Sequence, residues 1–152
     1  MPQQSRLAAR LAALYAAAPT DPTEVERAAL RAWIHAEFDR LPCPVDFHYQ
    51  EIDLPTAQRI YQQSNVLAVS VLHNNHPFLN FTDNAKFRAV HDWHHIVGGF
   101  DSTLSGEIAS YKMARKSAPT IIWWLLHSEV VLQAAACLHH GEFQPQKLIK
   151  AF

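Results

Sequence analysis

Cysteine is nearly absent from this chain. Cys43 and Cys137 are the only two in 152 residues, and they lie far apart. Such a pair makes no disulfide framework and offers no thiolate set for a structural zinc knot, so a reducing, cytoplasmic setting is expected. Charge of one sign is lacking too, with 13 Lys and Arg against 14 Asp and Glu. The basic residues are scattered among acids and form no stripe. That argues against a nucleic-acid partner and against global attraction to an acidic membrane. No internal repeat and no low-complexity linker divides the chain, so 1–152 reads as a single helical domain. An E-x-x-H pair, which di-iron carboxylate bundles need on each of two helices, is also missing.

What is present suits a folded core. The composition is 49% hydrophobic and 18% charged, and the length lets one domain bury its interior without staples. Residues 1–19 carry Arg6, Arg10, no acid and the apolar run Leu11–Ala18, faintly like a leader segment. Arg10 abuts the run and no small-residue cleavage pattern follows, so an ordinary amphipathic helix over 4–17 is expected, with Leu7, Leu11, Leu14 and Ala18 on its buried stripe.

Thr20-Asp21-Pro22 signals a turn and a new start, with Asp21 as cap and Pro22 in the first helical position. This helix should reach about Leu41, bury Ala29, Leu30, Trp33, Ile34 and Phe38, and end at Pro42 and Pro44. Residues 45–50 alternate like a half-buried strand, a short helix follows from Leu54 to about Gln63, and Val66–Leu72 is a β-branched apolar run of strand length. The two strands could pair as a small ribbon. After the turn Asn74-Asn75-His76-Pro77, helices are expected over Asn84–Val97, capped by Gly98-Gly99, from Ser105 or Thr103 to Ala118, and over Thr120–Leu138. The last is apolar nearly all round. His127, Ser128, Glu129 and Gln133 interrupt it and favour a protein core over a membrane. The predicted fold is mainly α, a compact bundle of about five to six helices with a two-stranded β element.

Histidine is the unusual total. Ten are present, and His73, His76, His91, His94 and His95 fall within 23 residues. On a helix His91 and His95 project to one face, a spacing at which two imidazoles reach one metal ion, and His94 could replace His95. Asp92 lies about 100° away and reads as a partner holding an imidazole. Glu129 is the only formally charged residue between Pro119 and Leu138. A dry carboxylate needs a metal, hydrogen bonds or an ion pair, for which Arg88, Lys86 and Lys112 are the alternatives. Gln133, one turn on, could hold that carboxylate or a bound water. Glu107 shares the inward stripe Leu104, Ile108, Tyr111 and Ala114, with Lys112 and Arg115 expected to point elsewhere; as a first-turn acid it would also suit the helix dipole. His91, His95, Glu107 and Glu129 thus form a candidate set within 84–138 for one divalent transition metal: Fe, Mn or Zn. His127 is a spare ligand or a core histidine, and His139-His140 are expected at the surface.

The stretch Asn84-Ala-Lys-Phe-Arg-Ala-Val-His-Asp92 resembles a helical domain of phage- and prophage-encoded proteins, including very large, polyvalent-type ones. There an N-x-x-F-R-A-V-H-D run is followed by a second histidine, then G-E, then an apolar segment with T-E and a glutamine. The resemblance spans roughly 25–135. It implies His91, His94 or His95, Gly106-Glu107, and Ser128-Glu129 with Gln133 as counterparts, and His76-Pro77-Phe78-Leu79 is similar to the family's H-P-L-L turn. The second histidine follows at three or four residues rather than five, and Ser102–Ser105 replace a Gly-Pro-Arg run. The resemblance implies a site rather than a reaction.

Three functions are compatible with these residues. The first is a metal-dependent enzyme, hydrolytic or of the non-haem iron type, with Glu129 or Glu107 as general base and Tyr111 steadying an oxyanion. The second is a non-catalytic interaction module in which the cluster is a structural metal site or a polar core; the four tryptophans would then be packing or interface residues. The third is an HD-type phosphohydrolase using His91-Asp92 and His73, disfavoured because the only later aspartate, Asp101, falls in a loop. The partner would be a small molecule or a protein, and a homo-oligomer is left open.

Overall fold

A computed structural model describes residues 2–152. The elements run α1 (Gln3–Tyr15), α2 (Glu24–Asp39), β1 (Val45–His48), α3 (Leu54–Ser64), β2 (Leu67–Ser70), α4 (Phe81–Gly98) and α5 (Leu104–Arg115). A final helical stretch follows: a 3-10 turn (Thr120–Ile122), α6 (Trp123–Leu126), a π-helical turn (His127–Leu132) and α7 (Gln133–His140). The architecture is mainly α with one small β element, as expected. Two compact units are built from it, one of residues up to Leu30 together with Ser102–Phe152, the other of Arg31–Asp101.

α2 starts on a different cap from the expected Asp21. The Thr23 hydroxyl accepts from the Glu26 amide at 3.1 Å, and the Glu26 carboxylate accepts from the Thr23 amide at 2.9 Å. This reciprocal pair satisfies two otherwise orphaned donors at once, which Asp21 alone could not do. Leu30, Trp33 and Ile34 are buried along the helix, while Ala29 and Phe38 are only half-buried.

In the unit Arg31–Asp101, β1 and β2 are parallel, with Val45 opposite Leu67 and His48 opposite Ser70. They form a crossover unit rather than a ribbon joined by a tight turn, because parallel strands need a long connection, supplied here by α3. Every residue of β2 is buried, which explains its unbroken apolar run. Leu67, Val69 and Ala89 form the core here, with Phe38, Leu41, Cys43, Val45, Trp93 and Ile96 packed around it. α4 begins three residues before the predicted Asn84, since the Asn80 side chain caps it by accepting from the Asp83 amide at 2.8 Å.

Much of the Asn84–Asp92 run is spent on tying the 72–81 connection to α4. Asn84 donates to the Asn74 side chain at 2.8 Å, Asn74 to the Phe81 carbonyl at 2.8 Å, and Arg88 to the Leu72 carbonyl at 2.7 Å. The His76 Nδ1 accepts from the amides of Phe78 and Leu79 at 3.1 and 3.0 Å. These bonds satisfy backbone groups that a turn would otherwise leave unpaired.

In the other unit, α1 buries Ala8, Ala12 and Tyr15, whereas Leu7 and Leu14 are 37% and 45% exposed. The inward face is therefore rotated by one residue from the predicted Leu7/Leu11/Leu14/Ala18 stripe. Two alanines leave room for close contact with α7, and Tyr15 anchors the face through its hydroxyl. Ala12, Tyr15, Leu132, Ala136 and Ile149 make a core cluster.

The chain after Gly141 lies along this unit as an extended strap. The fully buried Ser128 hydroxyl donates to the Lys147 carbonyl at 3.2 Å and accepts from the Ile149 amide at 2.9 Å. Gln133 donates to the Gln144 carbonyl at 2.8 Å, and the Tyr15 hydroxyl lies 2.6 Å from the Pro145 carbonyl. The polar interruptions of the apolar stretch 120–138 thus largely serve backbone that has no secondary structure of its own. The helix Thr120–His140 is long and apolar enough to cross a bilayer, and 61% of its most apolar window is buried in the protein, as in a core helix.

Candidate metal centre

α4 carries the two histidines four residues apart, and their rings lie 4.7 Å apart at 81° to one another. Thr103 caps α5, its hydroxyl accepting from the Gly106 amide at 3.2 Å, and so sets Glu107 in the first turn. One ligand atom from each of His91, His95 and Glu107 lies within 4.8 Å of the others. These three side chains could hold a metal ion. His95 is buried, and His91 and Glu107 are half-buried.

The orientation of His95 has a visible cause. α4 ends at Gly99, whose φ of 67° is left-handed, and the Phe100 amide reaches back to the His95 carbonyl at 2.9 Å. The turn brings the Phe100 carbonyl to 3.1 Å from His95 Nδ1. A carbonyl only accepts, so Nδ1 carries the proton in this bond and Nε2 keeps its lone pair for a metal. Asp92, expected from the sequence to hold an imidazole, also bears on Arg88, where its charge partly offsets the lowering of the guanidinium pKa by burial. The Phe100 carbonyl was missed; Gly98-Gly99 is its sequence signal, once such a cap is taken to turn the chain back on the last helical turn.

His94 is outside the close group. It is buried with its ring 6.4 Å from that of Trp33. Burial, and then the neighbouring His91 and His95, lower its pKa to about 4. That value is below the unfolded one of about 6.5, so on acidification the unfolded chain takes up the proton first. Stability tied to neutral His94 is complete above about pH 6.5 and drains away towards pH 4, by roughly 3 kcal/mol at most. Urea denaturation of metal-free protein should therefore weaken more between about pH 7 and 4.5 in the wild type than in His94→Leu. Equal losses would contradict this account.

Glu129 also falls outside the 4.8 Å group. It is half-buried in the π-helical turn, and its charge adds to the burial that pushes Tyr15 up to about 12, against the Lys147 amide. The amide of Gln133 lies 3.0 Å from the Tyr15 hydroxyl and serves the Gln144 carbonyl. Tyr111 is buried one turn beyond Glu107, and burial raises its pKa while Arg115 holds it back. His73 and Asp101, needed by the phosphohydrolase reading, are exposed and outside the group. His139 and His140 are exposed, as expected.

No family model matches the chain, and no curated protein or solved structure matches it.

Proposed function

We propose that this protein is a mononuclear metal-dependent enzyme whose ion is held by His91, His95 and Glu107. The observation that carries the reading is the approach of two imidazoles and one carboxylate to within 4.8 Å. Two histidines and one carboxylate are a recurrent catalytic ligand set, found with Fe(II) in oxygenases and with zinc in peptidases. Three protein ligands leave coordination positions for water, O₂ or substrate; a structural site is usually closed by four. Water on the ion would be acidified for attack, with Glu129 as the proposed general base and Tyr111 as the proposed oxyanion partner. A π-helical turn carrying Glu129 agrees with this, since such turns recur at functional sites. A cytoplasmic setting, a small-molecule substrate and kinship with phage-encoded helical proteins belong to the same proposal.

Elemental analysis of protein purified without a histidine tag tests it. About one Fe, Mn or Zn per chain is the expected result. Protein that neither contains metal nor gains thermal stability from added Fe(II), Mn(II) or Zn(II) would leave the cluster a polar core.

A further inference from the structure

Two i,i+4 pairs face one another within the unit that contains α5 and the final helical stretch. α5 presents Tyr111 and Arg115; Trp123 and His127 come from the stretch beyond Ile122. The Arg115 guanidinium lies 4.1 Å from the Trp123 ring centroid and 5.5 Å from that of Tyr111. The rings of Tyr111 and His127 are 5.4 Å apart. This corrects the expectation that Arg115 points away from the Tyr111 face. Trp123 is itself fixed, because its indole N–H donates to the Ala118 carbonyl at 3.0 Å.

Arg115 takes no part in the ion pairs Arg27–Glu24, His35–Asp83, Arg40–Glu37 and His48–Asp46. A half-buried guanidinium held over an indole ring is pre-organised for a planar or tetrahedral oxyanion, since the contact restrains its fork of donors. The position of Arg115 in the last turn of α5 suits the helix dipole and accounts for a cation there. It does not account for the contact with Trp123. A second observation points the same way. The Nδ1 atom of His127 is sealed from solvent and has no hydrogen-bond partner, with the Tyr111 ring on one side and the Phe152 ring 5.1 Å away. Buried polar atoms are rarely left unsatisfied, and a bound polar group is one standard reason.

We propose that Arg115, with Tyr111, Trp123 and His127, binds the carboxylate or phosphate of a small-molecule substrate. Glu107, Tyr111 and Arg115 succeed one another at four-residue intervals along α5, about 12 Å from first to last at the helical rise. The substrate would thus be an anion gripped at one end by Arg115 and presented to the metal at the other. That last step rests on the metal-enzyme reading; the anion site does not.

The test uses the metal-free full chain, titrated separately with inorganic phosphate and with acetate. Sodium chloride at matched ionic strength is the control. Nitrogen-15 NMR follows the Arg115 Nε–H, the Trp123 indole N–H and the His127 ring. Saturable shifts with phosphate or acetate, absent with chloride, are expected, and the anion that saturates names the class. R115Q should weaken binding roughly tenfold or more, and R115K by less, because it keeps the charge but loses the fork. Circular dichroism checks that both variants fold. Shifts that chloride reproduces, no saturation, or equal binding by a folded R115Q would overturn the anion site. Anion binding in a protein that takes up no metal would overturn the metal reading and leave this site standing. Metal uptake without anion binding would do the reverse.

Discussion

His91→Ala is expected to bind Zn(II) or Co(II) on the order of a hundredfold more weakly than the wild type. Small zinc sites gain about 10–16 kcal/mol from four ligands, or roughly 3 kcal/mol for each, and about 1.4 kcal/mol is tenfold in affinity. Glu107→Gln should lose a comparable amount, since an amide keeps the shape of the carboxylate but not its charge. Competition against a chromophoric chelator measures both, with circular dichroism as the check on folding. His73→Ala is the control, because His73 is exposed and outside the close group, and its affinity should be unchanged. Wild-type affinity in both His91→Ala and Glu107→Gln would refute the proposed centre. Glu129→Gln belongs in the same series: lost affinity would make Glu129 a fourth ligand, and retained affinity would confine it to a part in the chemistry.

The second large effect is expected from a residue that touches no metal. A Cβ on Gly98 would overlap Cε2 and Cζ of the Phe100 ring. Gly98→Ala must therefore displace the Phe100 ring, and the strain is expected to shift the adjoining backbone carbonyl that fixes the His95 tautomer. Loss of such a partner to a metal-ligating histidine typically costs 10–100-fold in metal affinity, and roughly that fall is expected here. Helix propensity would act in the opposite direction, because alanine in place of a helical glycine stabilises by about 0.5–1 kcal/mol. Nitrogen-15 NMR of the apo-protein should show His95 protonated on Nδ1 in the wild type and as a tautomer mixture in Gly98→Ala. Adding Phe100→Ala removes the clashing ring but keeps the backbone carbonyl, so the double variant should recover affinity relative to Gly98→Ala alone. No recovery, with the tautomer unchanged throughout, would show that the Phe100 carbonyl does not position His95.

Local rules written into the chain carried much of this structure. Pro42 and Pro44 bar a helix, β-branched Val66–Leu72 favours a strand, and Gly98-Gly99 permits a left-handed cap, so these boundaries came within a few residues. Asn80 was passed over because a polar N-terminal turn carries no apolar period. The pairing of His91 with His95 was likewise legible, because a four-residue interval fixes two side chains on one helix face whatever surrounds the helix.

What depends on a distant partner was not legible. Which stripe of α1 faces inward was set by the hydroxyl of Tyr15 and by room for α7, neither of which leaves a mark on periodicity. Glu129 and Gln133 drew attention as polar residues in a dry helix, and that reasoning was sound for burial. It could not say that Gln133 serves the carbonyl of Gln144, because the strap after Gly141 has no regular pattern to predict. The parallel pairing of β1 with β2, the π-helical turn and the stacking of Arg115 on Trp123 are of the same kind. By itself the sequence determined which elements form and that His91 and His95 share a face, since those follow from bonds and periods within a few residues. Only the tertiary structure decided that Glu107 offers its carboxylate within 4.8 Å of them, because the place of a side chain on another helix is not set by bonds or periods within a few residues.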